Sequence, residues 1–547
     1  MRENIKYTFP AQLEETIRLF PDKDALALVG EKPITYRELG QKINAVMAFL
    51  QNLGIKKGDK AAILSTNMPN WSIAYYAIMS IGAVVVPLLP DFHKDEIENI
   101  LNHSEVKILF ISEGLVPKVN EGDIKFLENR IKIEDFSLLN KGDNLPKFDP
   151  DAIPGTGIIL QEDDLGALIY TSGTTGKSKG VMLSHKNILF TAFKSGVIQP
   201  ICEDDRFLSI LPLSHTYENT LGLVLPMVSG ACVYYLGRPP TASILLPALK
   251  KVRPTIMLSV PLIIEKIYRT KVLATIREKW ITRQLYKVPF VRKEMNKIAG
   301  KKLKQTFGGE VKFFGIGGAK LNPSVEKFLN QAGFPYAIGY GLTESSPLLA
   351  GANPKNVRLQ STGPAMEGVE LKLSNPNMKT GEGEIWAKGP NVMLGYYKEP
   401  ELTREVITKD GWLKTGDFGR IDKDGYLYIR GRLKTMIVSS GGENIYPEDI
   451  ESVINNFQHV VESLVVEKKG KLVALVHFNQ EEIEQRYQDL KEEFSNFVDQ
   501  KIEELRNELQ IYVNSRVNKF SQVQVIVSQP TPFQKTATQK IKRYLYM

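Results

Sequence analysis

The reading of LGALIY-TSGTTGKSKG-VMLSH, residues 165–185, decides the fold. Its centre, 171–180, comes close to the Walker A phosphate loop G-x-x-x-x-G-K-[ST], with Gly176, Lys177 and Ser178 in register, but Thr171 stands where the first glycine belongs. A Walker loop joins a strand to a helix whose N-terminus faces the phosphates. Here LGALIY suits a strand and GVMLSH alternates as a second one, with helical spacing resuming only at KNILFTAF, 186–193. The stretch therefore reads as a strand–loop–strand hairpin. Its loop still offers backbone N–H groups, hydroxyls and the cations of Lys177 and Lys179 to phosphate oxygens. His185 reads as a cap for the helix that follows.

Working outward, QLEETIRLF and YRELGQKINAVMAFLQNLG have helical spacing, the second closed by Gly54, while DKAAILST and EVKILFIS are short apolar strands. Two uncharged runs, 65–90 and 219–237, are long enough to suggest membrane spans. Gly82 and Gly230 divide each into a helix-like half and a β-branched half, which is the pattern of a parallel α/β sheet. Residues 113–160 read as loops with a little strand, and alternation resumes from 164 to about 345. From 359 to 431 the chain is β-rich (VELKLSN, GEIWAKG, YLYIRGR), and a small α+β region follows. The expected architecture is α/β, with a large N-terminal domain (1–432) of α/β subdomains plus a β-rich subdomain, and a small mobile α+β C-terminal domain (433–547).

At 547 residues the chain exceeds one hydrophobic core, and its 43% hydrophobic and 24% charged residues are those of a globular protein. Cys202 and Cys232 lack metal or disulfide spacing, and the start has no signal-peptide core, so a cytoplasmic location is expected. The net charge of +8 is uneven: 265–304 holds 13 Lys/Arg against 3 Glu, and 481–504 holds 9 acids against 3 bases. Both read as solvated helices. The basic one also suits anionic lipid, which would place the protein peripherally at the inner membrane surface, or an acidic protein partner. No recognition motif accompanies the charge, so nucleic acid is not expected.

The loop has companions. In order along the chain come GIGGAKL (315–321), IGYGLTESSP (338–347), GWLKTGDFGRIDKDGYLYIRGRLK (411–434), SSGGENIYPEDIE (439–451) and PFQKTATQKIKR (532–543). Together with YTSGTTGKSKGVMLSH they resemble the motif set of the AMP-forming adenylating enzymes, the superfamily of acyl- and aryl-CoA synthetases, luciferases and peptide-synthetase adenylation domains. The resemblance runs from near residue 10 to the end.

It implies a ligase reaction in two halves, with ATP, Mg²⁺ and coenzyme A. A carboxylate attacks the α-phosphate of ATP and pyrophosphate leaves; a thiol then attacks the acyl-adenylate and AMP leaves. Both steps build charge on oxygen, which calls for preorganised cations and donors. By resemblance, Thr171, Ser172, Gly173, Thr174, Thr175, Gly176 and Lys179 wrap the phosphates, and Glu344, with Thr171, holds Mg²⁺. Tyr340 lies against the adenine among Gly318, Gly339, Gly341 and Thr343. Asp417 takes the ribose hydroxyls with Arg432 in support, and Lys434 is the hinge. Lys540 is the adenylation lysine, Gly441 and Gly442 let the pantetheine arm pass, and His215 guides the carboxylate. Ser178 departs from the family's frequent proline, Gln539 from its glycine, and Val438 from a second lysine found in some members.

The ending TQKIKRYLY and the segment PLSHTYE resemble bacterial long-chain acyl-CoA synthetases, and PTIMLSVPLIIEKIY (254–268) supplies apolar side chains for an acyl tunnel. The expected substrate is a long-chain fatty acid. Acyl carrier protein as the acceptor, an idle nucleotide-binding scaffold and a true P-loop ATPase are the alternatives. The last would need the missing glycine at 171. Chain length preference and oligomeric state are left open.

Overall fold

Each helix–glycine–strand block folds as one. Helix Tyr36–Asn52 starts at a capping box, the Thr35 hydroxyl accepting from Glu38 N–H while the Glu38 carboxylate accepts from Thr35 N–H at 2.7 Å. The 65–90 run divides into helix Pro69–Ser80, buried on every face, and strand Val84–Leu88. Between them Gly82 turns at φ +75°, where a side chain would be strained and a Cβ would lie 2.7 Å from Leu160. The 219–237 run ends in the same way, through Gly230 at φ +77° into strand Cys232–Tyr235. Among the described residues, no helix is long and apolar enough to cross a membrane.

The computed structural model describes residues 6–140, 145–172, 178–438, 444–481, 483, 494–536 and 541–547, with the side chains of 121, 172, 277, 278 and 494–501 left aside. The chain divides into two units, one of Met1–Lys372, Trp386–Lys414 and Asp422–Tyr428, the other of Leu373–Ile385, Thr415–Ile421 and Ile429–Met547.

The first unit holds two seven-stranded sheets. One runs Tyr336–Ile338, Phe313–Ile316, Ile256–Ser259, Arg206–Ser209, Cys232–Tyr235, Asp24–Leu28, Ile34–Thr35, all neighbours parallel but the last pair. The other runs Gly395–Tyr396, Ser178–Ser184, Leu165–Ser172, Val84–Leu88, Lys60–Leu64, Val106–Ile111, Asn129–Lys132. Its first two pairings are antiparallel and the rest parallel. The crossovers that parallel pairing requires place helices against the sheets, which is why the strands read as continuous apolar runs.

The β-rich stretch forms a four-stranded sheet in the order Glu370–Ser374, Gly383–Lys388, Leu413–Ile421, Leu427–Arg432. The second unit also holds the sheet Val460–Lys468, Lys471–Phe478, Val525–Ser528, antiparallel then parallel. Helices Pro447–Ile454 and Phe494–Asn514 share its core through Ile450, Ile454, Leu505 and Leu509. The architecture is the expected α/β and α+β combination.

Two buried groups depart from expectation. Ser184, boxed with Asn187, caps helix His185–Ile198; His185 is its first residue and is wholly buried. Its Nδ1 accepts from Phe9 N–H at 3.3 Å, and burial lowers its pKa to about 4. In Tyr217–Val224, a π-helix that nothing in the sequence announced, burial pushes the Glu218 carboxyl up to about 8, opposed by a hydrogen bond with Ser209.

Candidate active site

The 165–184 hairpin pairs Thr171 with Lys179 and Ser172 with Ser178. It is a strand–loop–strand element, so the Walker reading fails on backbone geometry as well as on Thr171. Gly173, Thr174, Thr175 and Gly176 lie outside the described residues. Below the loop the Ser178 hydroxyl donates to Glu96 at 3.0 Å, a contact that the family's frequent proline does not make.

On the outer edge of this hairpin, strand Gly395–Tyr396 pairs antiparallel with Ser178–Ser184, Tyr396 opposite Val181. That pairing brings Tyr396 to Glu344: its hydroxyl donates to Glu344 Oε1 at 2.9 Å, and Lys179 Nζ lies 5.3 Å from the centre of its ring. Met393 N–H, just before the strand, donates to the Glu344 carbonyl at 2.9 Å, so residues 393–396 hold both backbone and side chain of the glutamate. Thr171, Lys179, Glu344 and the unforeseen Tyr396 thus form one cluster.

The Glu344 loop is itself tightly built. Glu344 and Thr343 lie on a short 3-10 turn, Thr343–Ser345, which the Ser345 hydroxyl closes by accepting from Leu342 N–H at 3.1 Å. Buried Asn391 donates to the carbonyls of Ser345, 3.1 Å, and Leu348, 2.8 Å. Gly341 has no substitute here, because a Cβ would fall 1.7 Å from the Pro347 carbonyl oxygen. Tyr340 bridges to Ala350 through backbone hydrogen bonds of 2.9 and 3.1 Å and leaves its ring half-buried. Gly318 turns at φ +82°, where a Cβ would meet nothing closer than Val260 at 3.7 Å but a side chain would be strained.

Beside Gly339 lies an apolar cleft, lined among others by Phe207, Tyr217, Ile256, Leu258, Gly315 and Ile338. Of the 254–268 segment, Ile256 and Leu258 line it, whereas Met257 and Ile264 do not. Tyr217 takes its place in this lining because Gly315 and Gly317 carry no side chain: a Cβ on either would come within 3.2 Å of its ring or hydroxyl. His215 sits half-buried on the turn into the π-helix, and its carbonyl accepts from Asn219 N–H at 2.8 Å.

The second unit carries another cluster. Asp417 is 5% exposed, and its Oδ1 lies 3.1 Å from Arg432 Nε on the adjacent strand. Asp417 N–H donates to the Thr415 hydroxyl at 3.1 Å, and that hydroxyl donates to the Ile385 carbonyl at 2.7 Å. Lys434 is exposed in the turn that follows, where Thr435 donates to Glu448 at 2.8 Å. Gly441, Gly442 and Lys540 lie outside the described residues.

A family model described as AMP-binding enzyme matches residues 13–397. The chain belongs to the AMP-binding enzyme family. Its curated relatives include fatty acyl-CoA synthetase A of Dictyostelium discoideum, 30% identical over 456 residues, 77% of this chain and 68% of that one. They also include the chloroplastic long-chain-fatty-acid–[acyl-carrier-protein] ligase AEE15 of Arabidopsis thaliana, 28% identical over 82% of this chain and 73% of that one. The fold matches that of the anthranilate CoA ligase AuaEII in complex with anthranoyl-AMP, with a TM-score of 0.78 and 22% identity over the whole of this chain and 98% of that one. As an AMP-binding enzyme, the chain is an adenylate-forming ligase.

The donor set fits a nucleotide with Mg²⁺. Among the described residues no three His, Cys, Asp or Glu side chains converge as a metal cage. One oriented carboxylate suits Mg²⁺, which keeps its waters and takes most ligands from phosphate. Tyr396 escaped the sequence reading because GYYKEP resembles a turn, and its partner strand is far away in sequence.

Proposed function

We propose that this AMP-binding enzyme activates a long-chain fatty acid and passes the acyl group to coenzyme A. The apolar cleft carries the substrate reading. Its lining is almost wholly apolar, with Phe207, Leu221, Leu225, Ile256, Leu258 and Ile338 presenting the kind of wall that a hydrocarbon chain covers and a short acid such as acetate does not.

In the first half-reaction a carboxylate oxygen bonds to the α-phosphorus and the bond to pyrophosphate breaks. Thr171, Ser172, Gly173, Thr174, Thr175, Gly176 and Lys179 hold the phosphates, and Glu344, with Thr171, would hold Mg²⁺, whose charge neutralises them. Tyr340, with Gly318, Gly339, Gly341 and Thr343, receives the adenine; Asp417 and Arg432 receive the ribose diol. Lys540 bridges the attacking carboxylate and the α-phosphate, and His215 orients the acid. In the second half-reaction the thiol sulfur bonds to the acyl carbon and AMP leaves, the pantetheine passing Gly441 and Gly442 where a Cβ would obstruct it. A rotation at Lys434 of 433–547 against 1–432 separates the two steps. Acyl carrier protein is the second reading of the acceptor, supported by the relative that uses it.

Incubation with ATP, Mg²⁺ and coenzyme A across acids from acetate to stearate tests the proposal. AMP together with acyl-CoA from the longer acids is expected. AMP without acyl-CoA moves the acceptor to the carrier protein, and a preference for short acids overturns the cleft's role. Lys540→Ala is expected to abolish adenylate formation while sparing thioester formation from supplied acyl-AMP; equal loss of both would show the lysine's role to be different.

A further inference from the structure

We propose that the helical hairpin 279–304 is a membrane-docking edge, which seats Trp280, Ile281, Leu285, Val288 and Phe290 in the interface of an anionic bilayer. These five large apolar side chains are exposed within eleven residues, Trp280 at 66% and Phe290 at 74%. They lie on helix Trp280–Leu285, on the turn after it and at the start of helix Pro289–Thr306.

Their exposure does not come from a hairpin lacking a seat, because its inner side is already anchored. Asn296 donates to Gln331 at 2.8 Å and accepts from the Tyr286 hydroxyl at 3.0 Å. Gly300 packs so closely that a Cβ would lie 2.5 Å from the Ala332 carbonyl oxygen, and Leu303 is buried. The outer side is thus held outward by the fold.

Cations interleave with the apolar groups. Lys279, Arg283, Lys287, Lys293 and Lys297 are all exposed, within a stretch, 279–304, carrying 9 Lys/Arg against 1 Glu. Cations alone would suit an acidic carrier protein. Tryptophan and phenylalanine protruding among them are what a lipid interface accommodates, the rings at headgroup level and the long basic side chains reaching the phosphates. Attraction to anionic headgroups adds with each cation near the surface.

The placement deepens the fatty-acid reading and rests on it only for its purpose. Strand Ile256–Ser259, whose Ile256 and Leu258 line the cleft, leads through the helical turns Pro261–Ile267, Tyr268–Leu273 and Ala274–Glu278 into this region. A docked hairpin would hold the cleft's own wall close to the store of its substrate.

Sedimentation of the full chain with vesicles of phosphatidylcholine alone, and of equal parts phosphatidylcholine and phosphatidylglycerol, tests the proposal. The chain should pellet with the mixed vesicles only. Trp280→Ser/Phe290→Ser should lower its partition at least about tenfold, since apolar burial supplies the anchoring that charge alone does not. Tryptophan emission should shift to the blue on vesicle addition, and the shift should vanish in Trp280→Phe. No pelleting with either vesicle overturns the proposal. So does a double variant that pellets like the parent, and so does binding to an acidic carrier protein that needs these residues while vesicles are ignored. Acyl-CoA formation from albumin-delivered acid is assayed separately: its absence in the parent chain would count against the proposed reaction and leave the lipid result standing.

Discussion

Glu344 and Asp417 are both carboxylates assigned to ATP, and the chain positions them in opposite ways. Asp417 meets Arg432 across adjacent strands of one sheet, two residues near in sequence within a single motif. Glu344 meets Tyr396, which arrives only because Gly395–Tyr396 pairs with Ser178–Ser184. The first arrangement is local and leaves a signature in the sequence, whereas the second is made by long-range strand pairing and leaves none. The ion pair also places a half-exposed guanidinium against a buried carboxylate, a geometry whose value lies more in orienting Asp417 than in stability. Tyr396 is itself buried, so the Glu344 contact is part of the core as well as of the site.

The largest effect should come from the non-local cluster. Glu344→Gln keeps the shape of the side chain and removes its charge. Adenylate formation, followed by pyrophosphate exchange, should fall by about three orders of magnitude, the scale expected when one preorganised electrostatic group is lost from a reacting site. Thioester formation from supplied acyl-AMP should persist. A loss below tenfold would mean that Glu344 does not hold the metal, and the cluster would then be structural.

The local pair should give a smaller and different effect. Asp417→Ala removes the acceptor of the ribose hydroxyls and the carboxylate that Arg432 meets, so KM for ATP should rise roughly 10- to 100-fold, as for one or two hydrogen bonds to a charged group. The maximal rate should change less, because the ribose is remote from the bonds that break. Asp417→Asn should recover part of the loss. A fall in kcat with KM unchanged would break the comparison, since it would give Asp417 a part in the chemistry.

What was legible follows the same division. The hairpin at 165–184 could be read because GVMLSH alternates, and the 65–90 run was recognisable as helix and strand because Gly82 interrupts it. Both signals lie within a few residues. The exposed Trp280 and Phe290 had no such signal: the charge count put the segment in solvent, and only the anchoring of the opposite side by Asn296, Gly300 and Leu303 shows that these rings are held outward. The π-helix Tyr217–Val224 and the burial of His185 likewise depend on neighbours such as Phe9 and Ser209 that pack from elsewhere in the chain. Of the cleft the sequence supplied one wall, through Ile256 and Leu258, and could not show that Tyr217 packs against Gly315 and Gly317 to form another.

The smallest effect sharpens the comparison most. Tyr396→Phe keeps the ring that faces Lys179 and removes only the hydroxyl that donates to Glu344 at 2.9 Å. If that hydrogen bond orients the carboxylate for Mg²⁺, the variant should need more metal for half-maximal adenylation, by roughly three- to tenfold, less than a fully lost charged hydrogen bond because water can replace part of it. The rate at saturating Mg²⁺ should be nearly unchanged. Tyr396→Leu removes the ring as well and should cost ATP affinity through Lys179 in addition, so the difference between the two variants separates the orientation of the carboxylate from that of the cation. A loss of thermal stability with an unchanged metal requirement would instead make Tyr396 a packing residue, and Glu344 would then owe its position to its own loop, through Ser345, Asn391 and the close approach at Gly341.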